Sequence, residues 1–141
     1  MQNKESIRNV KERIVKDTYR YLEEEHEKIT KVNAAIHTLT MLIEFNENEG
    51  DVTFFREFIA KSINDAATWQ DTTTLANILD VLILSNYNNK DLIDKIAKEL
   101  INRQELDGRW LIQKGYDKSF GQVFTTFRVL IALNKYQKWQ K

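Results

Sequence analysis

The chain has 141 residues, enough for one domain that buries its own core without disulfide staples. Hydrophobic residues make up 42% and charged residues 30%, which excludes a disordered polyelectrolyte. The 21 basic residues balance the 21 acidic ones, so no net field gathers nucleic acid or an anionic membrane, and cysteine is absent, which removes disulfides, thiolate zinc sites and cysteine nucleophiles. The charged stretch 1–27 lacks the apolar centre of a signal peptide. No apolar run approaches the ~18 residues of a membrane span. These features predict a soluble, cytoplasmic protein. Proline is absent and glycine occurs four times, so the chain is expected to be almost wholly helical.

The first helix is expected over about 4–25. Ile7, Val10, Ile14 and Tyr21, with Val15 and Leu22, recur at helical spacing among charges. The charge run 23–28 reads as a turn or as continued helix, solvated in either case. The second helix covers about 30–45. The segment 46–50, Asn-Glu-Asn-Glu-Gly, should end it, since Asn and Gly are the usual terminators. Its alternating acids and amides do not make a calcium loop, because the glycine is misplaced and the distal glutamate is missing. The third helix takes Asp51 or Thr53 as its cap, carries Phe54, Phe55, Phe58, Ile59 and Ile63, and stops at 64–65. A short connector, 66–70, holds Trp69.

Asp71 caps the fourth helix, which runs to 87 and is the most apolar, with Leu75, Ile78, Leu79, Leu82 and Ile83. It is expected at the centre of the fold. Asn88, with Asp91 three residues on, starts the fifth helix, whose stripe is Leu92, Ile93, Ile96, Ala97, Leu100 and Ile101. The longest connection, 106–118, holds Gly108, Trp110 and Gly115. Ser119 and Gln122 form a capping box for the sixth helix, which runs through Val123, Phe127, Leu130 and Leu133 to about 139.

One phrase recurs. Met41-Leu42-Ile43-Glu44-Phe45-Asn46 returns after 40 residues as Val81-Leu82-Ile83-Leu84-Ser85-Asn86, and after a further 48 as Val129-Leu130-Ile131-Ala132-Leu133-Asn134. Each copy is expected to close an apolar helical stretch at the same point. A period of this size marks an array of helical hairpins, none able to bury its own face alone. The expected fold class is therefore all-α. Three antiparallel helical hairpins, about 4–46, 51–87 and 88–140, would place six helices in a two-layer arc within a single helical-repeat domain, 1–141. The charged odd helices form the outer layer and the apolar even helices the inner one.

Between the fifth and sixth helices stands Gln104-Glu105-Leu106-Asp107-Gly108-Arg109-Trp110, a Q-x-x-D-G-x-W pattern. Thr125-Thr126-Phe127-Arg128-Val129-Leu130-Ile131-Ala132-Leu133 follows it. This stretch resembles the repeat of squalene–hopene cyclases and protein prenyltransferase β-subunits, an α/α toroid of inner and outer helices. The resemblance covers about 92–133 and implies that Gln104 and Trp110 tie neighbouring helices together while Gly108 allows the turn. Trp69 stands where a second, degenerate copy would fall. The acidic D-x-D-D motif of the cyclases does not occur, and the Cys needed for a prenyltransferase zinc site is missing. The family toroid also needs about twice as many helices to close, so the resemblance implies part of a ring, left open.

The recurring phrase fixes a register on the even helices. A stripe at i, i+4, i+7, i+11 reads Asn33, His37, Thr40, Glu44 on the second helix. It reads Thr73, Asn77, Asp80, Leu84 on the fourth and Gly121, Thr125, Arg128, Ala132 on the sixth. Either these polar stripes are merely solvated on the concave side of the arc, or they line a ligand-binding site in which His37, Asn77, Asp80, Thr125 and Arg128 converge. Asp80 and Arg128 fall in equivalent layers of adjacent repeats and are placed to pair. The remaining faces of these helices are apolar and should pack against the outer layer.

Other chemistry is weaker. His26 and His37 share a face only on an unbroken helix, and no H-E-x-x-H pattern supports a metal. No G-x-S-x-G, Walker or G-x-G-x-x-G motif occurs. The helix start Asp71-Thr72-Thr73-Thr74 is read as capping rather than as an anion site. Lys135, Tyr136, Lys138, Trp139 and Lys141 mix basic and aromatic residues but read as the end of an amphipathic helix, so nucleic acid is disfavoured. No catalytic residue, metal or cofactor is assigned. The leading expectation is non-catalytic binding of a protein partner or a small apolar ligand by the concave face. The uncapped terminal hairpins also point to a homodimer. The alternative is a small enzyme or enzyme subunit of terpene-cyclase or prenyltransferase type acting on an isoprenoid-like ligand. It requires a deep aromatic pocket with an acid at its mouth, for which Asp80 is the candidate.

Overall fold

The computed structural model describes residues 4–45, 48–112 and 119–141, and every element in them is helical. Expectations that fall on Asn46, Gly115 and the side chains of Ser119 and Gly121 lie outside the described residues. Seven α-helices occur among those described, one more than expected. They are α1 (Lys4–Glu23), α2 (Lys28–Glu44), α3 (Glu49–Lys61), α4 (Ala66–Gln70), α5 (Thr72–Leu84), α6 (Lys90–Asn102) and α7 (Ser119–Trp139), with a 3-10 turn over Ser62–Asn64. No helix among the described residues is long and apolar enough to cross a membrane.

The extra helix is α4, in the stretch expected to be a plain connector. The Asp65 carboxylate accepts both the backbone N–H and the hydroxyl of Thr68, each at 3.0 Å, and this cap starts a helical turn. Other boundaries also move. Asn48, not Asp51 or Thr53, caps α3, with its side chain accepting from the N–H groups of Gly50 and Asp51. Glu49 and Gly50 therefore begin a helix instead of ending one. Asn89, not Asn88, caps α6 by accepting from the N–H of Leu92 at 3.1 Å. Asp71 caps α5 through the Thr74 N–H at 2.8 Å. The charge run 24–27 is a turn, so His26 and His37 do not share a helix.

The recurring phrase does not close three helices at the same point. α5 ends after Leu84, and Asn86 adopts a left-handed φ of 56° that lets the Tyr87 N–H reach the Leu82 carbonyl at 2.9 Å. This hydrogen bond terminates the helix, and Asn tolerates the conformation it needs. The third copy lies inside α7, which continues past Asn134 to Trp139.

α5 is the centre of the molecule. Nine of its 13 residues are buried. It packs against α2, α3, α4, α6 and α7. Leu75, Ile78, Leu79 and Leu82 are wholly buried there, among α2 residues Val32, Leu39 and Leu42, α3 residues Phe55 and Ile59, and α6 residues Ile93, Ile96 and Leu100. Each such side chain contributes roughly 1.5–3 kcal/mol by leaving water. α1 lies antiparallel along α2. Its Thr18 hydroxyl meets that of Thr38 at 2.8 Å, and Lys31 donates to the Leu22 carbonyl at 2.9 Å. Tyr19 reaches α3, donating to Asp51 at 2.7 Å.

Two expected apolar stripes do not pack. Ile7, Val10 and Ile14 of α1 stay exposed, because α2 and α3 cover only the later turns, at Val15, Thr18, Tyr19 and Leu22. On α7 the buried side is Gln122, Thr125, Val129, Ala132 and Tyr136, while Val123 and Phe127 are 73% and 57% exposed and Leu130 is exposed beside them. α7 packs chiefly on α5 and more lightly on α6, and the flank that carries Val123, Phe127 and Leu130 stays exposed.

The turn from α6 is closed by its own hydrogen bonds. Glu105 N–H donates to the Arg109 carbonyl at 2.8 Å, Gly108 N–H to the Glu105 carbonyl at 2.9 Å, and Gln104 Nε2 to the Gly108 carbonyl at 2.9 Å. Gly108 sits at φ +91°, a region that L side chains rarely adopt. Trp110 is buried. Its indole N–H donates to the Leu100 carbonyl of α6 at 2.6 Å, and its backbone N–H donates to the Thr126 hydroxyl of α7 at 3.0 Å. Trp110 thus bridges two helices, whereas Gln104 braces only its own turn.

Candidate binding groove

α5 and α7 lie side by side in parallel, because their cross-links ascend together. The Thr73 and Thr125 hydroxyls meet at 2.8 Å, Arg128 Nε donates to Asn77 Oδ1 at 2.8 Å, and Lys135 Nζ donates to Asp80 Oδ1 at 2.5 Å. Arg128 also donates through Nη2 to Asp80 Oδ2 at 3.1 Å. Asp80 is therefore held by one cation on each carboxylate oxygen. Its side chain is only 12% exposed, while those of Arg128 and Lys135 are 26% and 40% exposed. The charges form a floor that reaches water through the cations.

Above this floor is a groove of about 460 Å³ between α2, α5 and α7. Asn77, Asp80, Arg128 and Lys135 make its charged and polar side. Phe124 and Phe127, both more than half exposed, make an apolar wall from α7, and Leu84 adds to it from α5. Asn33, Ile36, His37 and Thr40 line the α2 side. Two of these polar groups are occupied locally, since Asn33 Nδ2 donates to the Ile29 carbonyl and the Thr40 hydroxyl to the Ile36 carbonyl. His37 is exposed.

Of the five residues expected to converge, His37, Asn77, Asp80 and Arg128 line this one groove. Thr125 does not. It is wholly buried in the α5–α7 seam, bonded to Thr73. The stripe on α7 straddles the seam: Thr125 and Ala132 face α5, and Arg128, rotated off them, reaches the groove. Lys135 was not among the expected residues, although it stands one step further along the same stripe, at i+7 from Arg128. Phe124 and Phe127 were missed for a different reason. Helical periodicity marks them as apolar without saying whether a neighbour covers them.

The rear of α7 is anchored by Tyr136, which donates to Asp94 of α6 at 2.6 Å and stacks on Trp139 at 5.7 Å. Burial, and then the Asp94 carboxylate, pushes the Tyr136 phenol up to about 12. The aromatic residues of the C-terminal basic stretch are thus packed into the molecule rather than offered as stacking platforms. A second hollow, of about 620 Å³, lies where α4 meets the end of α6. Arg103 occupies its wall and makes four hydrogen bonds, donating to the Trp69 and Gln70 carbonyls, the Thr72 hydroxyl and Glu99. Trp69 is also overlaid by Lys95 at 5.2 Å. No group of three or more His, Cys, Asp or Glu side chains among the described residues is arranged to hold a metal ion. The chain matches no family model, no curated protein and no solved structure.

Proposed function

We propose that the chain is an array of three antiparallel hairpins, α1–α2, α3–α5 and α6–α7, forming a two-layer arc that resembles part of an α/α toroid. On this reading it works as a non-catalytic binding module whose concave face is the groove between α2, α5 and α7. The observation that carries the reading is the meeting of an exposed aromatic wall, Phe124 and Phe127, with the ordered cluster Asn77–Arg128–Asp80–Lys135. Large exposed apolar side chains beside fixed polar groups are the usual make-up of a binding site. Trp110, bridging α6 and α7, supports the resemblance to the toroid repeat.

The enzyme alternative needs a free acid at the mouth of a deep pocket. Asp80 is instead low in the groove with both oxygens engaged by cations, which supports a binding role. The test is affinity capture from the native host with the wild-type chain and with Asp80→Ala/Arg128→Ala, whose helicity is first checked by circular dichroism. A bound species lost in the folded double variant supports the groove. Retention of every bound species moves the interface elsewhere. A homodimer is a separate reading, supported by the uncovered flank of α7 at Val123, Phe127 and Leu130. A monomer in sedimentation equilibrium at high concentration excludes it.

A further inference from the structure

The charges of the groove are unbalanced. Two cations, Arg128 and Lys135, face one carboxylate, Asp80, and among the described residues no other acidic side chain lines the space. Neither cation is exhausted by Asp80. Lys135 has three N–H donors and uses one on Asp80; Arg128 has five and uses one on Asn77 and one on Asp80. Because Asn77 accepts through Oδ1, its NH2 group is left as a further donor, and the Arg128 contact fixes that orientation. The floor is thus a set of spare donors with one positive charge in excess.

The wall beside it is apolar. Phe124 and Phe127 precede Arg128 on α7, and Leu84 stands on the α5 side. The space of about 460 Å³ lies within the ~300–1,000 Å³ typical of small-molecule sites. One excess positive charge suits a monoanion. A dianion would leave net negative charge beside Asp80 in a half-enclosed space, which low dielectric penalises.

We infer that the groove takes an amphiphilic monoanion, a single carboxylate carrying an alkyl tail, with the carboxylate on Lys135 and Arg128 and the tail against Phe124 and Phe127. This rests on the groove being the binding face, as proposed above. The head competes with Asp80 for the same two cations, but each has donors to serve both. The tail covers aromatic surface that is otherwise left in water.

Titration calorimetry of the whole chain with dodecanoate, kept below its micelle concentration, tests this. Dodecyltrimethylammonium serves as the same tail with the opposite charge. The expected result is saturable one-to-one binding of dodecanoate and at least tenfold weaker binding of the cation. Lys135→Gln should weaken dodecanoate by about tenfold, the loss of one charge-assisted hydrogen bond. Phe127→Ala should weaken both amphiphiles, being exposed and thus replaceable without unfolding the chain. Equal binding of the two amphiphiles, or dodecanoate binding untouched by Lys135→Gln, overturns the proposal. If dodecanoate does not bind, yet a host polypeptide is captured by the wild type and lost in Asp80→Ala/Arg128→Ala, the ligand class is overturned and the groove reading stands. If neither is found, both fall.

Discussion

The two ends of the molecule are tied to its centre by the same two devices. At the α1 end, a hydroxyl pair, Thr18–Thr38, joins α1 to α2, and a phenol, Tyr19, reaches the Asp51 carboxylate of α3. At the α7 end, Thr73–Thr125 joins α5 to α7, and Tyr136 reaches Asp94 of α6. Both hydroxyl pairs are 2.8 Å long. The ends differ in what surrounds these ties. Among the described residues, the Asn77–Arg128–Asp80–Lys135 cluster belongs to the α7 end alone, and there the seam opens into a groove with an aromatic wall. Both ends have the ties, so the ties are scaffold. The charge cluster is the surplus, and so the better candidate for function.

Removing the surplus should have the largest effect. Asp80→Ala leaves Arg128 and Lys135 side by side without their counter-ion. The expected loss is about 2 kcal/mol, below the ~3–5 of a fully buried pair because both cations reach water. Urea unfolding followed by circular dichroism measures it. If Tyr19→Phe at the other end costs as much, the cluster is no more than another tie.

The hydroxyl pairs should separate next. Thr73→Val strands the wholly buried Thr125 hydroxyl, which has no other bond among the described residues, at a cost of about 1–1.5 kcal/mol, the lower part of the ~1–3 for a stranded polar group. Thr38→Val should cost less, about 0.5–1 kcal/mol, because Thr18 keeps its bond to the Ile14 carbonyl at 2.7 Å. The double variant Thr73→Val/Thr125→Val should regain most of the single loss, since both polar partners are then gone. Equal costs at the two ends would show that the Ile14 bond compensates for nothing.

A further effect is shared by both ends and appears only in alkali. Burial, and then a neighbouring carboxylate, pushes Tyr19 and Tyr136 up to about 12 from an ordinary 10. A raised phenol favours the protonated folded state. Its contribution is therefore complete below pH 10 and is lost as the pH rises from 10 towards 12. Denaturant midpoints should fall across that window in the wild type. Tyr19→Phe and Tyr136→Phe should each flatten part of the fall, while costing about 1 kcal/mol at neutral pH. A slope unchanged in both variants would assign the alkaline loss to other groups.

Much of the fold was legible because helix periodicity and capping are local. The Asp71 cap, the apolar density of α5 and its central place follow from residues within a few turns of one another. The alignment of Asp80 with Arg128, 48 residues apart, was legible for another reason, the recurring phrase. What stayed hidden depends on neighbours. Val123, Phe127 and Leu130 have the spacing of a core stripe and stand exposed, since no spacing reports whether another helix lies opposite. Thr125 and Arg128 share a stripe in sequence, yet a rotation of about 60° between them on the helix puts one in the seam and the other in the groove. The start of α4 was missed because a single Asp65 side chain, accepting twice from Thr68, decides it. Lys135 needed only one more step along a pattern already drawn.

Arg103 has a consequence in time rather than in space. α4 has five residues, too few to persist alone. The carbonyls of Trp69 and Gln70 at its end accept from Arg103, more than 30 residues away at the end of α6. α4 is therefore finished only once α6 has docked, which places it late on the folding route. Arg103→Ala should quicken unfolding and leave the refolding rate nearly unchanged, the signature of a contact made after the barrier has been crossed.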